Sequence, residues 1–99
     1  MPDITTYGKM SRDELLNELA DVTNTLQARL RELGGVTQDY NNEFYPLYFR
    51  APGSSVTAKE KEANYGCLQL INDLAVLDGE IKALTVIKSC IETILPYAT

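Results

Sequence analysis

Tyr40, Phe44, Tyr45, Tyr48, Phe49 and Arg50 crowd one short stretch of this chain, and Lys59, Lys61 and Tyr65 follow across a gap of Pro, Gly and Ser. Five of the eight aromatic residues thus precede the gap and a sixth follows it, beside three cations in an otherwise acidic protein. Aromatic faces next to Arg or Lys suit stacking on a base, gripping a nucleotide phosphate, or anchoring a protein interface. Tyr45, Tyr48, Arg50, Lys59, Lys61 and Tyr65 are therefore the candidate ligand- or partner-binding residues. The competing reading is structural. Alternate aromatics would pack the end of the fold, with Lys59 and Lys61 as solvated first-turn residues offset by Glu60 and Glu62.

Other chemistry is scarce. The absence of histidine removes the commonest general base, the commonest zinc ligand and the neutral-pH switch together. Nucleophilic triads that need an imidazole are excluded, and Gly34-Gly35 is not followed by the lysine and hydroxyl residue of a phosphate loop. Asp13, Glu14 and Glu18, like Asp73, Asp78 and Glu80, read as solvated helix faces. The expectation is a chain without catalytic residues, metal or cofactor, and not an enzyme. Nine basic against 14 acidic residues give a net charge of −5. That balance disfavours non-specific nucleic-acid binding, which draws its affinity from cations displacing phosphate counterions, and favours a basic protein surface or an uncharged contact. Two cysteines are too few for a disulfide scaffold. On one straight helix Cys67 and Cys90 would stand roughly 34 Å apart, so both read as reduced, small hydrophobes. Met1 to Met10 carries no basic-plus-apolar leader and no apolar run reaches bilayer length, so the expected setting is soluble and cytoplasmic, away from membranes.

The elements that would position these residues are two helices. Ser11-Arg12-Asp13-Glu14 is a capping box, with Met10 and Leu15 as its hydrophobic staple. Leu15, Leu19, Val22, Leu26, Leu30 and Leu33 then recur every three or four residues as one helical stripe. The rhythm keeps its phase past Gly34-Gly35, through Val36 or Thr37, Tyr40, Phe44 and Leu47 or Tyr48. This predicts one helix over 11–49, weakened by about 1 kcal/mol at each glycine and kinked near Asn41-Asn42 by Pro46. The alternative is two helices parted at the glycines. Residues 50–56, with Pro52-Gly53, form the loop. Thr57-Ala58-Lys59-Glu60 is a second capping box, opening a helix over 57–95 whose stripe runs Ala63, Cys67, Leu70, Leu74, Leu77, Ile81, Leu84, Ile87 or Lys88, Ile91 and Leu95. Two helices of matched length joined by a short loop make an all-α, long antiparallel helical hairpin as a single domain, with 1–10 as an N-terminal arm.

The second helix is apolar on more than one line. Leu68, Ile71, Val76, Val86 and Ile94 lie off the main stripe and are the candidate oligomer-interface residues. Each such side chain left in water forfeits roughly 1.5 to 3 kcal/mol, so association into a helical bundle is expected, with a homo-oligomer and a protein partner as the leading contacts. The alternative is a three-helix monomer folded back at the glycines. The arm Asp3 to Lys9, with Tyr7, is a further segment able to fold over a neighbouring subunit.

Tyr40 and Phe44 spaced by four, the restart Ser55-Val56-Thr57-Ala58-Lys59-Glu60, and a long Leu- and Ile-rich helix together resemble small bacteriophage-encoded helical-hairpin proteins over Tyr40 to Leu95. The double glycine and Pro46 depart from that pattern, and the resemblance carries over no functional residues. It implies an accessory or anti-host-defence protein of a phage, acting in the host cytoplasm by binding a partner protein. The second functional expectation is an oligomer that binds a nucleotide or nucleic-acid end at the aromatic-basic cluster, as a replication or recombination accessory.

Overall fold

In the computed structural model, Ser11 caps the long helix as its spacing requires. The Glu14 amide donates to Ser11 Oγ at 3.2 Å, and the Ser11 amide donates to Glu14 Oε1 at 3.3 Å. The structure describes residues 4–53 and 55–98, with side chains from Thr6 onward. Its order is α1 (Ile4–Gly8), α2 (Arg12–Arg50), α3 (Val56–Tyr65), α4 (Leu68–Ile94) and a 3-10 turn (Leu95–Tyr97), with no strand among the described residues. α2 is one uninterrupted helix of 39 residues that runs through Gly34, Gly35 and Pro46. A Cβ built on either glycine meets nothing within 4 Å, and neither has positive φ, so nothing in the backbone there asks for glycine. The unbroken stripe prevails over the two weak helix formers, and the alternative break at the glycines does not occur.

The return helix departs from expectation at two places. It starts at Ser55 rather than Thr57: Ser55 is extended (φ −100, ψ 151) and its Oγ accepts from the Ala58 amide at 3.1 Å. Serine ranks above threonine as a cap, and the earlier start leaves Thr57 inside the first turn, with the connection trimmed to residues 51–55. Ser54 lies outside the described residues. The helix is then interrupted at Gly66-Cys67. Gly66 N–H still donates to Glu62 O, but Cys67 N–H donates to Asn64 O, three residues back, and Ile71 N–H restarts the regular pattern on Cys67 O. A Cβ on Gly66 would stand 2.7 Å from Leu47 Cδ1, so the missing side chain lets α2 and α3 approach closely.

Packing divides the chain into two units, Met1–Leu30 with Gly79–Thr99, and Arg31–Asp78. In the first, Leu15, Val22 and Ile91 are buried together with Tyr7, which is only 3% exposed. Met10, Leu19, Leu84, Ile87, Ile94 and Leu95 pack around them, so the Met10–Leu15 staple joins the same cluster. The arm is therefore not free to reach a neighbour as expected. α1 turns Tyr7 into its own chain's core, while Asp3 lies outside the described residues. Arg29 Nε reaches Glu80 Oε2 at 2.7 Å. Leu15 with Ile91 and Arg29 with Glu80 run in opposite directions along α2 and α4, which makes the pair antiparallel. In the second unit Ala63, Cys67 and Leu77 are the buried residues. The fold class is the all-α antiparallel hairpin, and among the described residues no helix is long and apolar enough to cross a membrane.

Candidate functional site

Tyr40, Phe44 and Tyr48 stand one turn apart on α2 and form a ladder. Ring centroids are 5.4 Å apart from Tyr40 to Phe44 and 5.9 Å from Phe44 to Tyr48, with interplanar angles of 25° and 26°. The spacing of four alone produces this, because residues i and i+4 share a helix face. The Tyr40 hydroxyl donates to Asn64 Oδ1 on α3, which ties the lower end of the ladder to the return helix. At its upper end the Lys59 ammonium lies 5.8 Å from the centre of the Tyr48 ring, a cation–π contact between α2 and α3. Tyr48 and Lys59 are both half-buried.

These contacts sort the six candidate residues. Tyr48 and Lys59 come together, but as partners of each other. Lys61 and Tyr65 come together elsewhere, lining an open recess of about 610 Å³ with Pro52, Gly53, Ala58 and Glu62. The recess exists because the loop presses onto the first turn of α3, where a Cβ on Gly53 would lie 2.9 Å from the Ala58 Cβ. Tyr45 packs edge-on against Phe44 at 5.4 Å and is otherwise exposed. Arg50 is exposed at the end of α2 and lines neither feature. Asn64 and Glu62 were not singled out from the sequence. Asn64 gives no signal short of the tertiary contact, and Glu62 none beyond a charge that offsets the lysines.

Burial raises the Tyr40 phenol above its ordinary value of 10.0, with Cys67, Tyr45 and Glu60 adding to the shift. Burial likewise raises the Cys67 thiol, with Glu43 adding, which leaves it a poor nucleophile. Both cysteines are unpaired, Cys67 buried and Cys90 half-buried. Among the described residues no group of three or more acidic or cysteine side chains gathers where a metal ion would sit.

No family model, no curated protein and no solved structure matches this chain. The likeness to phage-encoded hairpin proteins accordingly rests on the residues between Tyr40 and Leu95 alone.

The apolar surface is the other feature of note. Among the described residues seven hydrophobic side chains are buried, whereas ten large ones are exposed. In the loop-end unit the exposed ones include Phe49 at 74%, Tyr65 at 78%, Tyr45, Val56 and Leu68. Of the five candidate interface residues, Leu68, Val76 and Val86 are exposed, while Ile71 and Ile94 are half-buried. Ile94 is in part engaged already, against the Tyr7 core.

Proposed function

We propose that this chain is a non-enzymatic interaction protein that binds a partner protein through the apolar and aromatic surface of its loop-end unit. The observation that carries the reading is the exposure of Phe49 and Tyr65, large aromatic side chains left mostly in water by a unit whose buried residues, among those described, are Ala63, Cys67 and Leu77. Exposed aromatics held by a rigid neighbour are the usual anchors of protein interfaces. Phe49 is braced by an edge contact to Tyr48 at 5.5 Å, and Tyr48 in turn by Phe44 and Lys59. The Tyr40–Phe44–Tyr48 ladder acts as scaffold, and the outward residues act as contacts. A role as an accessory of a phage against its host follows from the resemblance and is part of the same proposal.

The geometry favours a protein over a nucleotide. Lys59 is engaged with Tyr48, and Glu62 brings a carboxylate into the recess that Lys61 and Tyr65 line, where it would oppose a phosphate. Capture from a lysate of the source cells, run beside a Phe49→Glu/Tyr65→Glu variant of unchanged helicity, tests the reading. One defined protein held by the parent and lost by the variant is expected. Equal recovery by both, or none by either, refutes it.

A further inference from the structure

On α4, Thr85, Val86, Ser89, Cys90, Thr93 and Ile94 line a shallow groove of about 360 Å³. Its composition looks half polar but its surface is not. The Thr85 and Thr93 hydroxyls donate back to the Ile81 and Ser89 carbonyls at 2.7 and 2.8 Å, which satisfies the hydroxyls within the helix and leaves the methyls to face outward. Val86 is 62% exposed. From Ala83 to Tyr97 the only charged residues are Lys88 and Glu92, which pair with each other at 3.5 Å and do not line the groove. Ala83, Val86, Cys90 and Thr93 follow one another at steps of three and four, the spacing of a helix–helix seam.

We infer that this face of α4 is where a second copy of the chain docks, helix against helix, about a two-fold axis near Cys90. Two observations point to that occupant. In a chain of net charge −5 two copies repel over most approaches, and an uncharged face is where they meet without like charges opposed. A two-fold contact must also be complementary to itself, which an uncharged, small-featured groove satisfies and a charged one does not. Cys90 lies at the middle of the groove, so a symmetric contact centred there brings it close to its own equivalent, whether the helices run parallel or antiparallel.

The test is the mass of the full chain in solution, by light scattering over a wide concentration range, together with thiol bridging by a short bismaleimide. The parent is expected at twice 11.0 kDa. Val86→Glu, at an exposed position that leaves folding intact, sets carboxylates against each other and should weaken association by roughly 100-fold. Leu30→Glu, exposed on α2, should leave the dimer as it was. Bismaleimide should bridge two copies in the parent and in Cys67→Ala, and fail in Cys90→Ala. A monomer mass for the parent, a dimer that survives Val86→Glu, one that dissociates with Leu30→Glu, or no bridge through Cys90 each overturns the inference. None of these outcomes involves Phe49 or Tyr65, so the fate of the loop-end reading is decided separately by its own variant.

Discussion

Replacing Gly34 and Gly35 with alanine separates a continuous α2 from a helix broken at that point, because the two arrangements predict opposite signs. Neither glycine has positive φ, and a Cβ on either enters open space. The substitution therefore meets no clash and gains only helix propensity, about 0.8 to 1 kcal/mol at each position. The two Cβ atoms point about 100° apart around the helix and share no neighbour, so the gains should add to roughly 1.6 to 2 kcal/mol. For a domain of this size each kcal/mol raises Tm by about 4 to 8 °C. The double variant should thus melt roughly 6 to 16 °C higher in far-UV circular dichroism, and its urea midpoint should rise with an unchanged slope. Were the glycines instead to form a turn with positive φ, alanine would be strained and both measures would fall. A Tm at or below the parent's refutes the continuous helix and the phase argument with it.

Tyr7→Ala should destabilise the chain by about 3 to 5 kcal/mol, the usual loss for a buried aromatic, whereas Tyr97→Ala, at a residue 86% exposed, should stay within about 0.5 kcal/mol; urea unfolding of both variants decides whether α1 is part of the core. Gly66→Ala should lower stability despite its gain in propensity, because the new Cβ falls 2.7 Å from Leu47 Cδ1. Adding Leu47→Val should recover part of the loss, and a double-mutant cycle without positive coupling would remove the close approach. Burial raises Cys67 above 9.0, and Tyr7 and Tyr40 above 10.0, in the folded chain. The unfolded chain releases these protons first as pH rises, so stability should be full below pH 9, decline above it and fall more steeply past 10. A urea midpoint that holds or rises through the tyrosine range would contradict their burial.

How much of this was legible in the sequence depended on whether a feature announced itself locally. Ser11 and Glu14 needed only each other, and their reciprocal bonds appear as read. The hairpin itself followed from two long stripes and one Pro-Gly gap. The stripe was a good guide at Gly34-Gly35 and a poor one at Gly66, where Ala63, Cys67 and Leu70 also keep phase. What differs is contact across the hairpin. Leu47 presses on Gly66 and nothing presses on Gly34 or Gly35, and no periodicity along one helix records that. Thr57 has the capping-box spacing, but Ser55, the stronger cap type, is the residue with the extended backbone that capping requires. Tyr7 was illegible as core because a lone aromatic in a short irregular leader has no period to reveal its face. At the candidate site the grouping by spacing was readable, but the division into scaffold and surface was not, since it turns on Asn64 and Lys59 across the loop.

The two long helices also differ in a way that bears on what the chain does. α2 exposes Asp13, Glu14, Asp21, Arg31, Glu32, Asp39 and Glu43, the charged outer face of a helix that has one neighbour and then water. α4 buries Leu77 and Ile91 on one side and, beyond Lys82, shows Val86, Ser89 and Thr93 to solvent beside a half-buried Cys90, with its last two charges spent on each other. Solubility alone would place Lys or Glu at Val86, Ser89 and Thr93 at little cost to the hairpin, since these three are exposed. An uncharged outer seam forgoes that solubility, and its three- and four-residue steps match the geometry by which one helix receives another. The loop-end aromatics are arranged differently: Tyr45 and Phe49 stand out singly, each braced by a neighbouring ring, and Tyr65 is still more exposed, which suits insertion into pockets of another surface. A seam fits a helix like itself, and braced anchors fit a surface unlike themselves. Side-chain type as well as position thus supports the proposed division between a self-contact on α4 and a foreign contact at Phe49 and Tyr65.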